Sequence, residues 1–459
     1  MNYADPWLLI CVLVTTISVL WLVVIWIRNF KFLAQNFFFL FFCSAVVVYL
    51  QVAPLLSLLS PEVPLSLAVW GLSHPRDYIR EYALLQTASL LLFQTPLVYL
   101  YFRNQRKPIS GPRTLATTPA RAQYVALAVL GFLVLFLLVV AKDELFFTRI
   151  GSEGAAQRMV DLPFFDYVVY RSYQESALFL IGVLFFLHHV LRTRLPSLAI
   201  ALWSNIIVYG YISLLNSRGS VMFLVVMLFG WWLTTRGKRA PAFWQLFRLS
   251  LLAAVGIYLS IVVINVRMSG GSGSLRLEYF NPIGTSALQS DVEGYNRLDG
   301  IDLMARLAPG IAAEGPAWGA AWKSSYWLVG RFIDPQGFDV SRLSMTDTSK
   351  GYLMRRYWGW ATTDYLSCRL TDMFGNFYLF GFLMLGGIYA GLFVFCRHIF
   401  EQPSSGSIFL VGLFVLVNII MFEGSGDALL FAWVRKLPVL LALVAMRPFI
   451  VLRQKVSQG

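Results

Sequence analysis

The sequence predicts an all-α polytopic membrane protein of about eleven transmembrane helices with one large extracytoplasmic loop, and three observations carry that prediction. Of its 459 residues, 58% are hydrophobic and only 13% charged, far below the roughly 25% charge of soluble domains. Apolar runs long enough to cross about 30 Å of hydrocarbon as helices recur along the chain. Outside one long polar segment, Lys and Arg gather at the ends of those runs, the distribution that sets topology. The net charge of +13 is therefore a record of topology, and nucleic acid is not an expected partner.

The start, Met1 to Pro6, has no basic residue and contains Asp5, so it lacks the positive region of a cleavable signal. The first span, 7–27, is expected to be retained. Arg28 and Lys31 follow it directly, which places the N-terminus outside. Further spans fall at 37–56, 82–102, 124–141, 176–191, 197–215, 219–235, 248–265, 376–396, 407–422 and 428–446. The chain thus divides into residues 1–265 with eight spans, the extracytoplasmic loop 266–375 with short helices, and 376–459 with three spans and a cytoplasmic tail. Threading gives the cytoplasmic segments 17 Lys or Arg and a single acid, Glu401, against 20 basic residues and 23 acids on the opposite side.

Two outer segments, Ser57 to Arg80 and Lys142 to Glu175, read as part-amphipathic caps on the membrane surface. Arg103 to Arg121, with three prolines, reads as a flexible basic linker. Within Arg267 to Asp372 stand 11 basic and 11 acidic residues among Tyr and Trp. There Ser269 to Ser274 forms a Gly/Ser hinge, and Asp299-Gly300 turns the chain into a short helix, Ile301 to Ala308, ended by Pro309-Gly310. Cys11, Cys43, Cys368 and Cys396 form no disulfide or zinc pattern. No histidine falls in the loop, so neither a histidine-ligated metal site nor a cofactor is expected.

The candidate chemistry follows from residue type and depth. Arg218 lies in the tight turn Asn216 to Gly219, which holds its guanidinium near the outer face, where a planar fork suits bidentate contact with phosphate. The bland alternative is a snorkelling anchor. In the loop, Arg297, Arg306, Arg331, Arg355 and Arg356 interleave with Asp299, Asp302, Asp364 and Asp372. Arginines aimed at a lipid pyrophosphate would stabilise it as a leaving group, although solvated ion pairs are the ordinary fate of such charges. Glu423 and Asp427 stand in the turn at the outer mouth of the last two spans, where acids held at a desolvation cost are functional candidates. The cytoplasmic loops are short and nearly free of acids, which excludes a cytosolic nucleotide-sugar transferase.

The chain resembles the oligosaccharide repeat-unit polymerases, the Wzy-type O-antigen polymerase family. The resemblance rests on the many spans with one large late outer loop, the turn Ser217-Arg218-Gly219, the run Gly375 to Gly381 after the loop, and the closing turn Glu423-Gly424 with Asp427 and Arg435. It implies a GT-C-like membrane fold in a bacterial inner membrane. It also implies a glycosyltransferase that moves a growing glycan from undecaprenyl pyrophosphate onto a lipid-linked repeat unit at the outer face. Donor and acceptor lipids, membrane lipids and, optionally, a chain-length regulator are the implied partners. Arg218, Arg297 and Arg306, with Arg355, Arg356 and Asp427, are then expected to bind substrate, and Asp299 or Glu423 to serve as base. The rival readings are an O-antigen ligase and a lipid-linked sugar flippase.

Reporter fusions are expected to place the N-terminus and a junction near Ser325 outside and the tail after Arg447 inside. A cytoplasmic signal from the Ser325 fusion would overturn the threading.

Overall fold

The computed structural model describes residues 5–60, 72–104, 115–116, 119–141, 164–191, 196–216, 218–236, 258, 299–322, 349–359, 368–401 and 406–420, with isolated positions at 422, 433, 436–437, 439–441 and 453–454. These residues build helices almost throughout. Among them, the extended structure is a two-residue antiparallel pairing of Leu115–Ala116 with Arg453–Gln454. Four helical stretches are long and apolar enough to cross a membrane, Pro6–Phe32, Gln35–Leu59, Pro75–Arg103 and Leu379–Phe400, and five shorter apolar helices accompany them. All nine coincide with predicted spans. The predicted spans 248–265 and 428–446 lie outside the described residues apart from isolated positions.

Helix α1 (Pro6–Asn29) starts where the Asp5 carboxylate accepts the Trp7 N–H at 2.9 Å, with Pro6 in the first turn. Its inward face is small and partly polar, with Cys11, Thr15 and Ser18 buried, while Leu9, Leu13, Ile17, Leu20, Val23, Val24 and Ile27 are exposed. Leaving seven such side chains in water would forfeit roughly 1.5–3 kcal/mol each, a sum comparable with the whole stability of a domain. The medium around α1 is therefore hydrocarbon, and the protein is membrane-embedded.

The next two spans are each interrupted by one π-helical turn. The second span runs as α2 (Leu33–Val47), a π turn (Val48–Val52) and α3 (Ala53–Leu59); the third as α4 (Ile79–Ala88), a π turn (Ser89–Gln94) and α5 (Thr95–Arg103). A proline sits one residue beyond the end of each turn's following position, Pro54 and Pro96, and lacks the N–H that a regular ladder needs. Ala53 N–H bonds back to Val48 O and Thr95 N–H to Leu90 O, so the ladder widens to accommodate each proline. The two π turns face each other. Gln51 Nε2 donates to Gln86 O at 3.1 Å and Ser89 Oγ at 2.8 Å, Gln86 Nε2 returns a bond to Gln51 O at 3.1 Å, and Thr15 Oγ1 of α1 joins at 3.2 Å.

The remaining long helices are α6 (Pro119–Ala141), α7 (Phe164–Leu191), α8 (Pro196–Asn216) and α9 (Arg218–Arg236). Past the loop come α13 (Leu379–Glu401) and α14 (Gly406–Ile419). Helix α13 packs on α5, the second π turn and α14, and α7 and α8 pack on each other. At one end of the bundle, Arg397 of α13 and Tyr101 of α5 both donate to Asn36 Oδ1 of α2, at 3.1 and 3.0 Å. At the other end, Arg76 closes α3 by donating to Leu58 O at 2.6 Å and Ser60 O at 2.9 Å.

The loop contributes α10 (Asp302–Glu314), α11 (Ser349–Trp358) and α12 (Arg369–Phe377), which pack on one another, with α10 also on α4 and α12 on α13. Two expected boundaries are corrected. Helix α10 runs through Pro309-Gly310 rather than ending there, and stops at Gly315, whose φ is +77° and whose N–H bonds Ile311 O at 2.9 Å. Gly310 lets α11 pack closely against α10: a Cβ there would overlap the Tyr357 backbone. The span expected to begin at residue 376 begins at Leu379, because Tyr378 breaks the helix at φ 53° and separates α12 from α13. Gly381 sits under that break, where a Cβ would overlap the Met373 carbonyl.

Gly310→Ala is expected to lower the thermal unfolding temperature in detergent through overpacking worth about 1–3 kcal/mol. Gly131→Ala in α6, where a Cβ meets nothing within 4 Å, should leave it unchanged or slightly raised. Equal behaviour of the two variants would contradict the α10–α11 contact.

Candidate functional site

Two buried polar clusters meet where the loop helices enter the bundle. The first is organised by Asp299. One carboxylate oxygen accepts the N–H groups of Ile301 and Asp302, each at 3.0 Å, which starts α10, and the other accepts the Tyr82 hydroxyl of α4 at 2.9 Å. Tyr82 Oη also lies 2.9 Å from Asp302 Oδ1. Arg306, one turn on, pairs its Nε with both Asp302 oxygens at 3.1 Å and donates from its terminal nitrogens to Ser73. Its guanidinium is flanked by the Tyr78 and Trp358 rings at 5.0 and 5.4 Å.

Asp299 is 2% exposed. Burial raises its pKa to about 7, and the neighbouring Asp302 charge adds to the shift against hydrogen bonds from Ser57, Tyr82 and the Ile301 backbone. A carboxyl group with this pKa can take up or release a proton near neutrality.

The second cluster lies at the C-terminal end of α14 and was not singled out by the sequence. Arg369, the first residue of α12, is 6% exposed. It donates to the Tyr389 hydroxyl, to Asn418 O at 2.8 Å and to Ile419 O at 3.5 Å, while its Nε has no partner. No carboxylate among the described residues pairs with it. Lys436 Nζ donates to Asn418 Oδ1 at 2.6 Å, so one asparagine receives two buried cations. A cation at a helix C-terminus gains up to about 2 kcal/mol, whereas desolvating it costs several. The helix end thus offsets only part of the cost of burying Arg369.

The clusters adjoin. Gly300, next to Asp299, donates its N–H to Tyr49 O at 2.9 Å, and its carbonyl faces Cys368 Sγ, next to Arg369, at 3.8 Å. Within its own helix Ala53 N–H goes to Val48 O and Pro54 has no N–H to offer, and the Tyr49 carbonyl takes the Gly300 N–H. Cys368 caps α12 with Thr371, and burial pushes its thiol up to about 11, so it stays protonated near neutrality. Among the described residues no three His, Cys, Asp or Glu side chains converge to hold a metal ion.

Of the residues proposed from sequence, the structure brings Asp299 and Arg306 into one network through Asp302 and Tyr82. Arg306 is fully engaged there. On α11, Arg355 is exposed, and Arg356 pairs with Glu314 at 3.3 Å and takes the Tyr352 hydroxyl as acceptor at 3.2 Å. Arg218 is the first residue of α9. Its side chain, and Arg297, Arg331, Asp364, Glu423 and Asp427, lie outside the described residues. Arg369 carried one sign in the sequence, its place as the last basic residue of the long polar segment, and Tyr82 carried none.

No protein-family model, curated protein or solved structure matches this chain.

The pKa of Asp299 gives a signed expectation. The folded state keeps a proton on Asp299 up to about pH 7, while the unfolded chain releases it near 3.9. Below pH 4 the contribution to stability is complete, and it is lost as pH rises from about 4 through 7. Thermal unfolding of the wild type should therefore show this falling component and Asp299→Asn should lack it. An identical pH slope in both proteins would contradict the assignment.

Proposed function

We propose that the chain is a membrane glycosyltransferase that polymerises undecaprenyl-pyrophosphate-linked repeat units at the outer membrane face. The observation that supports this reading is the adjacency of a buried carboxyl group poised near pH 7, Asp299, and a buried guanidinium that has no carboxylate partner among the described residues, Arg369, each one residue from the Gly300–Cys368 contact. Glycosyl transfer from a lipid pyrophosphate needs those two groups. The bond from the anomeric carbon to the pyrophosphate oxygen breaks as the acceptor oxygen attacks from the opposite face, leaving negative charge on the pyrophosphate and a proton on the acceptor oxygen.

In this reading Arg369 stabilises the leaving pyrophosphate, with Arg218 and Arg297 as further phosphate ligands, and Asp299 receives the proton. Arg306 is reassigned from substrate binding to positioning Asp302 beside Asp299, because its charge is already neutralised. The hydroxyl partners of Asp299 can rotate away from its carboxylate, whereas its backbone partners stay fixed and hold the group in place. The donor is already activated, so the reaction consumes no nucleotide.

Purified protein in lipid, given its lipid-linked repeat unit and no nucleotide, is expected to produce glycan ladders. Arg369→Ala should slow them on the order of a hundredfold, about 3 kcal/mol of transition-state stabilisation. Arg369→Lys should recover part of kcat, which a purely structural helix cap would not separate from KM. Transport of the repeat unit without lengthening would replace this reading with a flippase, and a requirement for a chemically distinct acceptor would replace it with a ligase.

A further inference from the structure

A groove between α1 and α4 opens on the hydrocarbon-facing surface. It holds about 430 Å³ and is lined by Trp7 and Ile10 of α1 and by Ala83, Leu84, Thr87 and Leu91 on the third span. The volume falls within the range of small-molecule sites, roughly 300–1,000 Å³. From Ala83 to Leu92 the wall descends about 14 Å at helical rise, close to half of the roughly 30 Å hydrocarbon thickness. It matches the depth of one leaflet.

The same helix face changes chemistry above the groove. Arg80 and Glu81 precede Leu84 by four and three residues, spacings that stack them on Leu84 along one side of α4, and Asp77 stands in the 3-10 turn, Pro75–Tyr78, that leads into that helix. Asp77 and Arg80 are exposed and Glu81 is half-buried. The side chains of these three make no hydrogen bond or ion pair among the described residues. Arg76, by contrast, is committed to Leu58 O and Ser60 O, and Asp5 to the Trp7 N–H. The mouth of an apolar groove therefore presents one uncommitted guanidinium flanked by two uncommitted carboxylates.

We infer that this groove holds one hydrocarbon chain of a phosphoethanolamine-headgroup phospholipid, with the phosphate on Arg80 and the primary ammonium between Asp77 and Glu81. The alternation of charge selects this headgroup. An anionic glycerol headgroup would satisfy Arg80 through the same phosphate but bring no cation to the two carboxylates, and a quaternary choline has no N–H to donate to them. Trp7, at the top of the groove, has the amphipathic ring suited to the headgroup boundary. The inference is independent of the polymerase reading.

The test is native mass spectrometry of the full chain in detergent with an equimolar mixture of phosphatidylethanolamine, phosphatidylglycerol and phosphatidylcholine carrying the same acyl chains. Phosphatidylethanolamine is expected to predominate among bound lipids. Arg80→Gln and the Asp77→Asn/Glu81→Gln pair should each reduce its occupancy about fivefold, the scale of a partly exposed charge contact. Leu84→Trp, which fills the groove, should reduce all three lipids. Equal retention of the three by the wild type, a preference for phosphatidylglycerol, or unchanged occupancy in the charge variants would each overturn the site. The charge variants alter exposed or half-buried side chains, so they decide the matter even if Leu84→Trp does not accumulate.

Discussion

The structure depends on one backbone donor meeting one backbone acceptor: the Gly300 N–H on the Tyr49 carbonyl. That carbonyl lies in a membrane-spanning helix, where an unmet polar group costs several kcal/mol. Pro54 and the π turn deprive it of its helical partner, and the loop supplies the replacement. A span that has been opened by a proline is thus completed by a segment some 250 residues later in the chain. Gly300 suits the position because a Cβ would stand 3.1 Å from Tyr49 O and 3.3 Å from Leu50.

Around this bond the polar groups are arranged so that each acid or base is defined by its neighbours. Asp302 and Arg306 neutralise each other between two aromatic rings. Asp299, beside that pair and buried, is left with a raised pKa and a set of donors that orient it. Arg369 is left with carbonyl and hydroxyl acceptors and, among the described residues, no carboxylate. The same loop therefore contains arginines that serve packing and one whose charge is incompletely compensated, although they are chemically alike in the sequence.

This explains what the sequence disclosed and what it did not. The helical membrane class was legible because span length and hydropathy are local properties, and the four membrane-length helices and five shorter apolar helices among the described residues follow them. Asp299-Gly300 was legible as a turn for the same reason. The path of α10 through Pro309-Gly310 was not, because the helix packs there against Tyr357, and the break at Tyr378 was hidden inside a run of apolar residues. The separate roles of Arg306 and Arg369 depend on Asp302, Tyr389 and Asn418, whose proximity is a tertiary fact. Tyr82 reads as one more aromatic at a span end until Asp299 is placed against it.

The central claim is that the segments leading into α10 and α12 meet at Gly300 and Cys368, which brings Asp299 and Arg369 together. A Cβ on Gly300 would lie 3.4 Å from Cys368 Sγ, so a Gly300→Cys substitution tests that meeting directly. Mild oxidation of the folded variant, followed by proteolysis and mass spectrometry, should yield one disulfide-linked peptide pair joining positions 300 and 368. A folded, inserted variant in which position 300 remains a free thiol, or pairs between molecules instead, would contradict the account.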